Sequence, residues 1–160
     1  MTRKKPWNRI NATVYSVSSA QGTSYNMNIC TYATAVSMHP KQFIVAIYEH
    51  TKTLELINQS DGMVLQLLSE TQYRLIPLLG QKSGKKIDKL ARLEKRGLTT
   101  DWRGYKILKD ALAVMELKII NRYPAADHQL FLCELAAYKN LNDGEALSLD
   151  TLRAKQLIRI

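Results

Sequence analysis

The sequence predicts a mainly β, mostly antiparallel barrel with peripheral helices, built as a single domain over residues 1–160. Three observations predict it. Strand-like runs dominate the chain. The few helical stretches do not alternate with them in the strand–helix–strand rhythm of a doubly wound parallel sheet. Breaker-rich segments separate neighbouring runs. No internal repeat, low-complexity stretch or change of composition divides the 160 residues, a length that suits one core.

The elements follow in order. Thr13–Val17, Ile29–Ser37, Phe43–Tyr48, Met63–Leu68, Ala113–Asn121 and Leu130–Tyr138 are rich in β-branched, aromatic or large apolar residues and read as strands. In the last of them Phe131, Cys133, Leu135 and Ala137 recur with period two, as in a strand with one face in a core. Leu157–Ile160 reads as a short closing strand. AQGTSYN, MHPKQ, QSDG and RYPAAD separate the runs. Thr51–Gln59 reads as a helix with Leu54, Leu56 and Ile57 on its apolar side. Ser69–Leu79 opens on Ser-Glu-Thr-Gln, a capping box; Pro77 is expected to kink its last turn and Gly80 to end it. Ile87–Arg96 carries Ile87, Leu90 and Ala91 at helical spacing, and Gly97 stops it. Leu141–Arg153 is polar and mixed, a loop with a short helix.

Composition narrows the function. No apolar run reaches the length of a membrane-spanning helix, and no apolar stretch follows the basic MTRKKPWNRIN, so neither a membrane anchor nor a secretory leader is expected. Cys30 and Cys133 are far apart in apolar or small-residue surroundings, which suits reduced thiols in a cytoplasmic protein. The net charge of +9 suits a polyanionic partner: nucleic acid, anionic lipid or a phosphate-bearing cofactor. Lys82–Arg96 holds seven basic residues against two acidic ones. It is either a solvated helix face or a basic collar around a phosphate.

The familiar catalytic signatures are missing. There is no G-x-G-x-x-G, no P-loop and no G-x-S-x-G elbow. His39, His50 and His128 are scattered, without metal-ligand spacing, so no metal is expected. Three constellations remain. In NMNICTYATAVSMHP (residues 26–40), alternation puts Ile29, Thr31, Ala33 and Ala35 on one face. That face either packs tightly or leaves room for something large and flat against the backbone. In EHTKTLELI (residues 49–57), Thr51, Lys52 and Thr53 open a helix. They either cradle a phosphate or simply cap the helix through Thr51. In KSGKKIDK (residues 82–89), Ser83 and Gly84 precede a second helix start, with Lys85, Lys86 and Lys89 alongside. A fourth feature is Asp127–His128, an ionisable pair at the lip of an apolar strand. It reads either as a loop-capping Asp with an exposed His or as part of a site.

Taken together, these blocks carry a resemblance. NICTYATAVSMHPKQFIVAIYEHTKTLELI resembles the opening of the flavin reductase-like family, the FMN-binding split barrels. VLQLLSETQ resembles that family's next strand and helix, SGKKIDKL its S-G-x-x-x-D-K segment, and ADHQLFLCELAAY its G-D-H-x-x-F-x-G-E-V signature. The blocks stand in the family's order and cover roughly residues 25–139. The resemblance implies non-covalent FMN, with NADH or NADPH as hydride donor and a small-molecule acceptor such as free flavin or a ferric chelate. It implies that Asn28, Ile29, Cys30, Thr31, Tyr32, Ala33 and Thr34 line the ring. Thr51, Lys52, Thr53, Ser83, Gly84 and Lys89 would hold the phosphate. It places His128 at the nicotinamide side of the site as the catalytic residue, with Asp127 orienting it or bonding the loop backbone. It also implies a homodimer with the flavin near the subunit interface.

Several positions depart from the family pattern. Cys30 stands where methionine is common, Ala126 and Cys133 replace glycines, and Thr51 followed by Lys52 replaces an arginine. Two other functions compete. One is an FMN-binding electron carrier or other flavoprotein without NAD(P)H reductase turnover. The other is a basic nucleic-acid-binding barrel, which would interleave exposed aromatics with basic residues on its strands. Tyr15, Tyr25 and Tyr32 are candidates for that, but the basic residues cluster in Lys82–Arg96, away from those strands.

Overall fold

Residues 5–158 are described by the structure, a computed structural model. Their strands are β1 (Tyr15–Gln21), β2 (Ser24–Cys30), β3 (Ala33–Ser37), β4 (Gln42–Tyr48), β5 (Gly62–Leu67), β6 (Thr99–Trp102), β7 (Tyr105–Leu108), β8 (Ala113–Ala125) and β9 (His128–Asn140). Seven of these form one antiparallel sheet in the order β2-β1-β5-β8-β9-β4-β3, while β6 and β7 pair as a separate hairpin. The ladder leaves β2 and β3 as open edges, yet the chain between them bends back onto the sheet. The Ala46 N–H donates to the Tyr32 carbonyl at 2.8 Å. This is the mostly antiparallel, split-barrel-like architecture that the sequence predicts.

Each face of the sheet has its own core. On one, Val17, Val45, Ile47, Met63, Leu65, Leu117, Phe131 and Cys133 pack with Leu54 and Ile57 of α1 (Lys52–Asn58). On the other, Met27 and Leu68 pack with α2 (Ile76–Leu79), α3 (Lys89–Lys95), α4 (Leu149–Ala154) and Leu108 of β7. Central strand β5 is buried on both faces: Met63 and Leu65 enter the first core, whereas Val64 joins a smaller cluster with Ile107 and Val114 on the opposite side. Its apolar run therefore hides the alternation that a one-sided strand displays. Among the described residues no helix is long and apolar enough to cross a membrane.

The structure corrects several boundaries. The breaker-like AQGTSYN is the tip of the β1–β2 hairpin, with Gly22 at φ 58° in the turn. Ser18, Ser19 and Asn26 are polar yet buried, so the pattern there does not read as strand. The run Ile29–Ser37 is two strands, because β2 pairs with β1 and β3 with β4, and Thr31–Tyr32 must cross between the two edges of the sheet. The β6–β7 hairpin, unread in the sequence, turns on Arg103 and Gly104 at φ 50° and 85°, the positive-φ pair that a tight two-residue hairpin requires. Ser69–Leu79 is a 3-10 turn (Glu70–Leu75) followed by α2. The Ser69 N–H donates to Gln72 Oε1 at 2.9 Å, and Pro77 lies in the first turn of α2, where a missing N–H costs nothing. The third helix starts at Lys89, not Ile87, because Asp88 accepts the Ala91 N–H at 2.9 Å and caps it; Gly97 at φ 66° follows its end. Of the expected closing strand, Leu157 and Ile158 are not in a strand and residues 159–160 lie outside the described residues.

Two polar anchors fix the frame. Arg122 on β8 donates to the Ile57 carbonyl (3.2 Å) and the Ser60 carbonyl (2.8 Å), closing the C-terminal end of α1. Beyond its pairing with β5, β8 runs on with β9 as its only strand partner among the described residues, and Pro124 lies in this stretch. Gln66, fully buried, accepts the Leu108 N–H at 2.7 Å and donates to Ser16 Oγ at 3.3 Å, which joins the small hairpin to the sheet. Replacing Gln66 by Leu orphans the Leu108 N–H and is expected to cost about 1–3 kcal/mol. Urea unfolding should show a lower midpoint at unchanged slope; an unchanged midpoint would refute the anchor.

Candidate functional site

The crossing at Thr31–Tyr32 opens a groove beside β4. Asn28–Tyr32, Ala46, Ile47, Tyr48 and His128 line a cavity of about 280 Å³. His128 reaches it through strand register: β9 starts at His128, directly opposite Tyr48 at the end of β4, and the Glu49 N–H donates to the Asp127 carbonyl at 2.9 Å. The tight turn before it places Ala126 at φ 57°, a left-handed position usually occupied by glycine. The His128 ring stands between Tyr32 (centroids 5.1 Å apart) and Tyr48 (5.2 Å, edge-on). Its Nδ1 is 2.7 Å from Asp127 Oδ1. Asp127 therefore both joins the backbone turn through its carbonyl and orients the imidazole through its carboxylate, which leaves Nε2 free.

A second cavity, of about 270 Å³, adjoins the first and shares Asn28, Ile29 and Tyr48 with it. Asn26, His50, Thr51, Lys52, Thr53, Gly80, Lys82, Ser83, Gly84 and Lys89 complete its lining. Three chain segments meet here. The turn Ser83–Ile87 is tied to α1 by a Lys85–Glu55 ion pair at 2.7 Å. Gly84 lies so close to the Asn26 amide that an added Cβ would sit 2.5 Å from Oδ1. Lys89 is 3% exposed, and its Nζ donates to the Leu79 carbonyl at 2.7 Å. Burial of the ammonium lowers its pKa from 10.5 to about 8.

The sequence-predicted residues thus gather in two adjoining halves. Asn28, Ile29, Cys30, Thr31, Tyr32 and His128 lie in the first; Thr51, Lys52, Thr53, Ser83, Gly84 and Lys89 lie in the second. Ala33 and Thr34 belong to β3 and line neither cavity. Individual roles differ from what residue type alone suggests. Thr51 Oγ1 accepts the Leu54 N–H (3.2 Å) and donates to the Tyr48 carbonyl (2.9 Å), so its hydroxyl is spent on capping α1. Asn28 Oδ1 accepts the Ile29 N–H at 2.9 Å, so that edge amide is already engaged. The Cys30 and Cys133 thiols are buried, which pushes each up to about 12; neither is a thiolate at neutral pH.

Sequence reasoning missed Asn26, Ala46, Ile47, Tyr48, His50, Gly80 and Lys82. Tyr48 carried a signal, as an aromatic ending an apolar strand next to Glu-His, and Lys82 stood at the head of the basic run Lys82–Arg96. Asn26 carried none, since its buried strand reads as a turn-forming stretch.

Comparison with known proteins agrees with this fold. The family model described as "Flavin reductase like domain" matches residues 7–155. Diflavin flavoprotein A 1 of Synechocystis sp. is 24% identical over 152 residues, 94% of this chain and 25% of that protein. The chain therefore spans about a quarter of the length of the diflavin flavoproteins it matches. The flavin reductase PheA2 superposes with a TM-score of 0.74 at 24% identity, over 89% of this chain and 87% of its own. An FMN-binding protein from Thermus thermophilus, solved with 1-cyclohex-2-enone, gives a TM-score of 0.75 at 22% identity, over 88% and 78%. A single domain model running almost from end to end, over a split-barrel-like sheet with a groove along its rim, places the chain in the flavin reductase-like family.

Proposed function

We propose that the chain binds FMN and works as an NAD(P)H-dependent reductase, passing a hydride from NADH or NADPH to the flavin and on to a small-molecule acceptor. One observation carries this reading: the two cavities adjoin along Asn28, Ile29 and Tyr48, one lined by Tyr32, Tyr48 and His128 rings, the other by cationic and hydroxyl groups. That is the donor set of a planar ring with an anionic tail. The residues fit the group. Gly84 leaves the cradle open where any side chain would collide with Asn26, and Lys89 holds a buried cation with a single hydrogen-bond partner among the described residues.

The isoalloxazine, when bound, supplies the redox chemistry. The protein's own groups position and exclude. Asn28 to Tyr32 present backbone along the ring site, and Lys52, Thr53, Ser83 and Lys89 face the phosphate end. His128, held by Asp127 and flanked by Tyr32 and Tyr48, sets where a nicotinamide stacks. No side-chain nucleophile takes part.

Turnover tests this. The purified chain is expected to bind FMN and oxidise NADH or NADPH with free flavin or ferric chelate present. His128→Gln should lower kcat/KM for the nicotinamide by about tenfold to a hundredfold, with FMN affinity unchanged. A wild-type chain that binds FMN but does not turn over nicotinamide would instead be an electron-carrying module.

Lys89 gives the site a pH signature. In the folded chain its ammonium loses a proton as pH rises through about 8, whereas in the unfolded chain it does so near 10.5. Between those values the unfolded state binds more protons, so raising the pH stabilises the fold while removing the charge opposite the phosphate. FMN affinity is expected to fall roughly tenfold from about pH 7 to about pH 10, with riboflavin affinity following no such trend. Fluorescence titrations that show both flavins weakening in parallel would refute the role of Lys89.

The chain also exposes Tyr32, Val36 and Met38 along and beside the open β3 edge. A homodimer that covers this flank next to the groove accounts for them. Sedimentation at micromolar concentration is expected to give a dimer, and a monomer alone would contradict it.

A further inference from the structure

Two buried side chains in the second cavity form a pair that neither helix capping nor core packing requires. Asn26, on β2, is 3% exposed, and Thr53, on α1, is fully buried. Burying an amide and a hydroxyl together is unfavourable unless each finds a partner. Asn26 Nδ2 donates to Thr53 Oγ1 at 2.8 Å. A threonine hydroxyl has one proton and two lone pairs. Once a lone pair has taken the Asn26 N–H, the proton must point elsewhere. Among the described residues, the bond from Asn26 is the only one this hydroxyl makes. Thr53 also lines the cavity, as Lys89 and Ser83 do.

The Asn26 amide is itself held. Ser19 Oγ donates to the backbone carbonyl of Asn26 at 3.3 Å, which holds β2 against β1, and Gly84 covers the side-chain Oδ1 at a distance that excludes any larger residue. The amide thus lies between the Ser83–Ile87 turn at its oxygen and Thr53 of α1 at its nitrogen.

We infer that Asn26 is a positioning residue: it fixes the Thr53 hydroxyl as a donor into the cavity, and through Thr53 makes the site select a flavin carrying a phosphate monoester over one that lacks it. The inference rests on the flavin reading above and assigns the phosphate preference to this pair. Thr51, next to it in sequence, cannot take this role because its proton already goes to the Tyr48 carbonyl.

A double-mutant cycle tests it. Wild type, Asn26→Leu, Thr53→Val, the double variant and Thr53→Ser are titrated with FMN and with riboflavin, followed by quenching of flavin fluorescence. Each single variant should weaken FMN about tenfold, the size of one charge-assisted hydrogen bond, with riboflavin affinity unchanged. The double variant should be no worse than the singles, because both remove the same contact. Thr53→Ser should retain the FMN preference. Equal losses for both flavins, or losses that multiply in the double variant, would overturn the inference. An unchanged FMN-to-riboflavin ratio in Asn26→Leu would overturn it as well, since Thr53 would then not depend on the amide. Should Asn26→Leu fail to fold, Asn26→Ala takes its place in the cycle. Wild type binding both flavins equally refutes the pair's role and leaves the flavin reading standing. Wild type binding neither refutes the flavin reading, and the inference with it.

Discussion

The hydrogen bond from the Ala46 amide to the Tyr32 carbonyl governs the rest of the structure. The two edge strands lie at opposite ends of a seven-stranded ladder, and the chain between them has only two residues. So short a connection forces the sheet to curl until its edges meet. The curl creates a seam where β2 stops pairing and β4 has a free flank. Backbone groups at a seam are neither fully paired nor fully solvated, which makes it a natural place for a polar-rimmed planar ligand. Tyr48 and His128 stand beside the seam because the register of β4 on β9 puts them opposite each other.

The electrostatic design separates two kinds of lysine. Lys85 is exposed, pairs with Glu55 and contributes modestly, as surface ion pairs do. Lys89 is buried, anchored on a backbone carbonyl, and has lost much of its hydration. A cation in that state is unfavourable in the empty site, and the same burial strengthens its attraction to any anion that arrives. On the FMN reading proposed above, fold stability and ligand affinity pull in opposite directions at one side chain. The basic excess of the chain enters the site through this residue more than through the exposed lysines around it.

How far the sequence could be read follows from these physical differences. The strand after Asp127 was legible because Phe131 and Cys133 face a core and their neighbours do not. The start of α1 was legible because capping chemistry is local, and Thr51 performs it. β2 was not legible, since buried Ser19 and Asn26 bond across the hairpin and look like turn formers in one dimension. The same blindness covers the site. Thr53 and Lys89 could be nominated from type and position. The place of Asn26 depends on a partner 27 positions away and on a glycine in a third segment. Ala33 and Thr34 seemed to continue one strand, and only the crossing at Thr31–Tyr32 removes them from the groove.

Pro124 has one more effect. It lies on the stretch of β8 that has no second strand neighbour among the described residues, and it has no N–H to offer an incoming chain. Together with the guanidinium of Arg122, which projects from the same stretch onto the end of α1, it renders this rim unfit for templating cross-molecule sheet growth. The long, partly apolar hairpin arm thus carries its own guard against strand-to-strand recruitment along this flank.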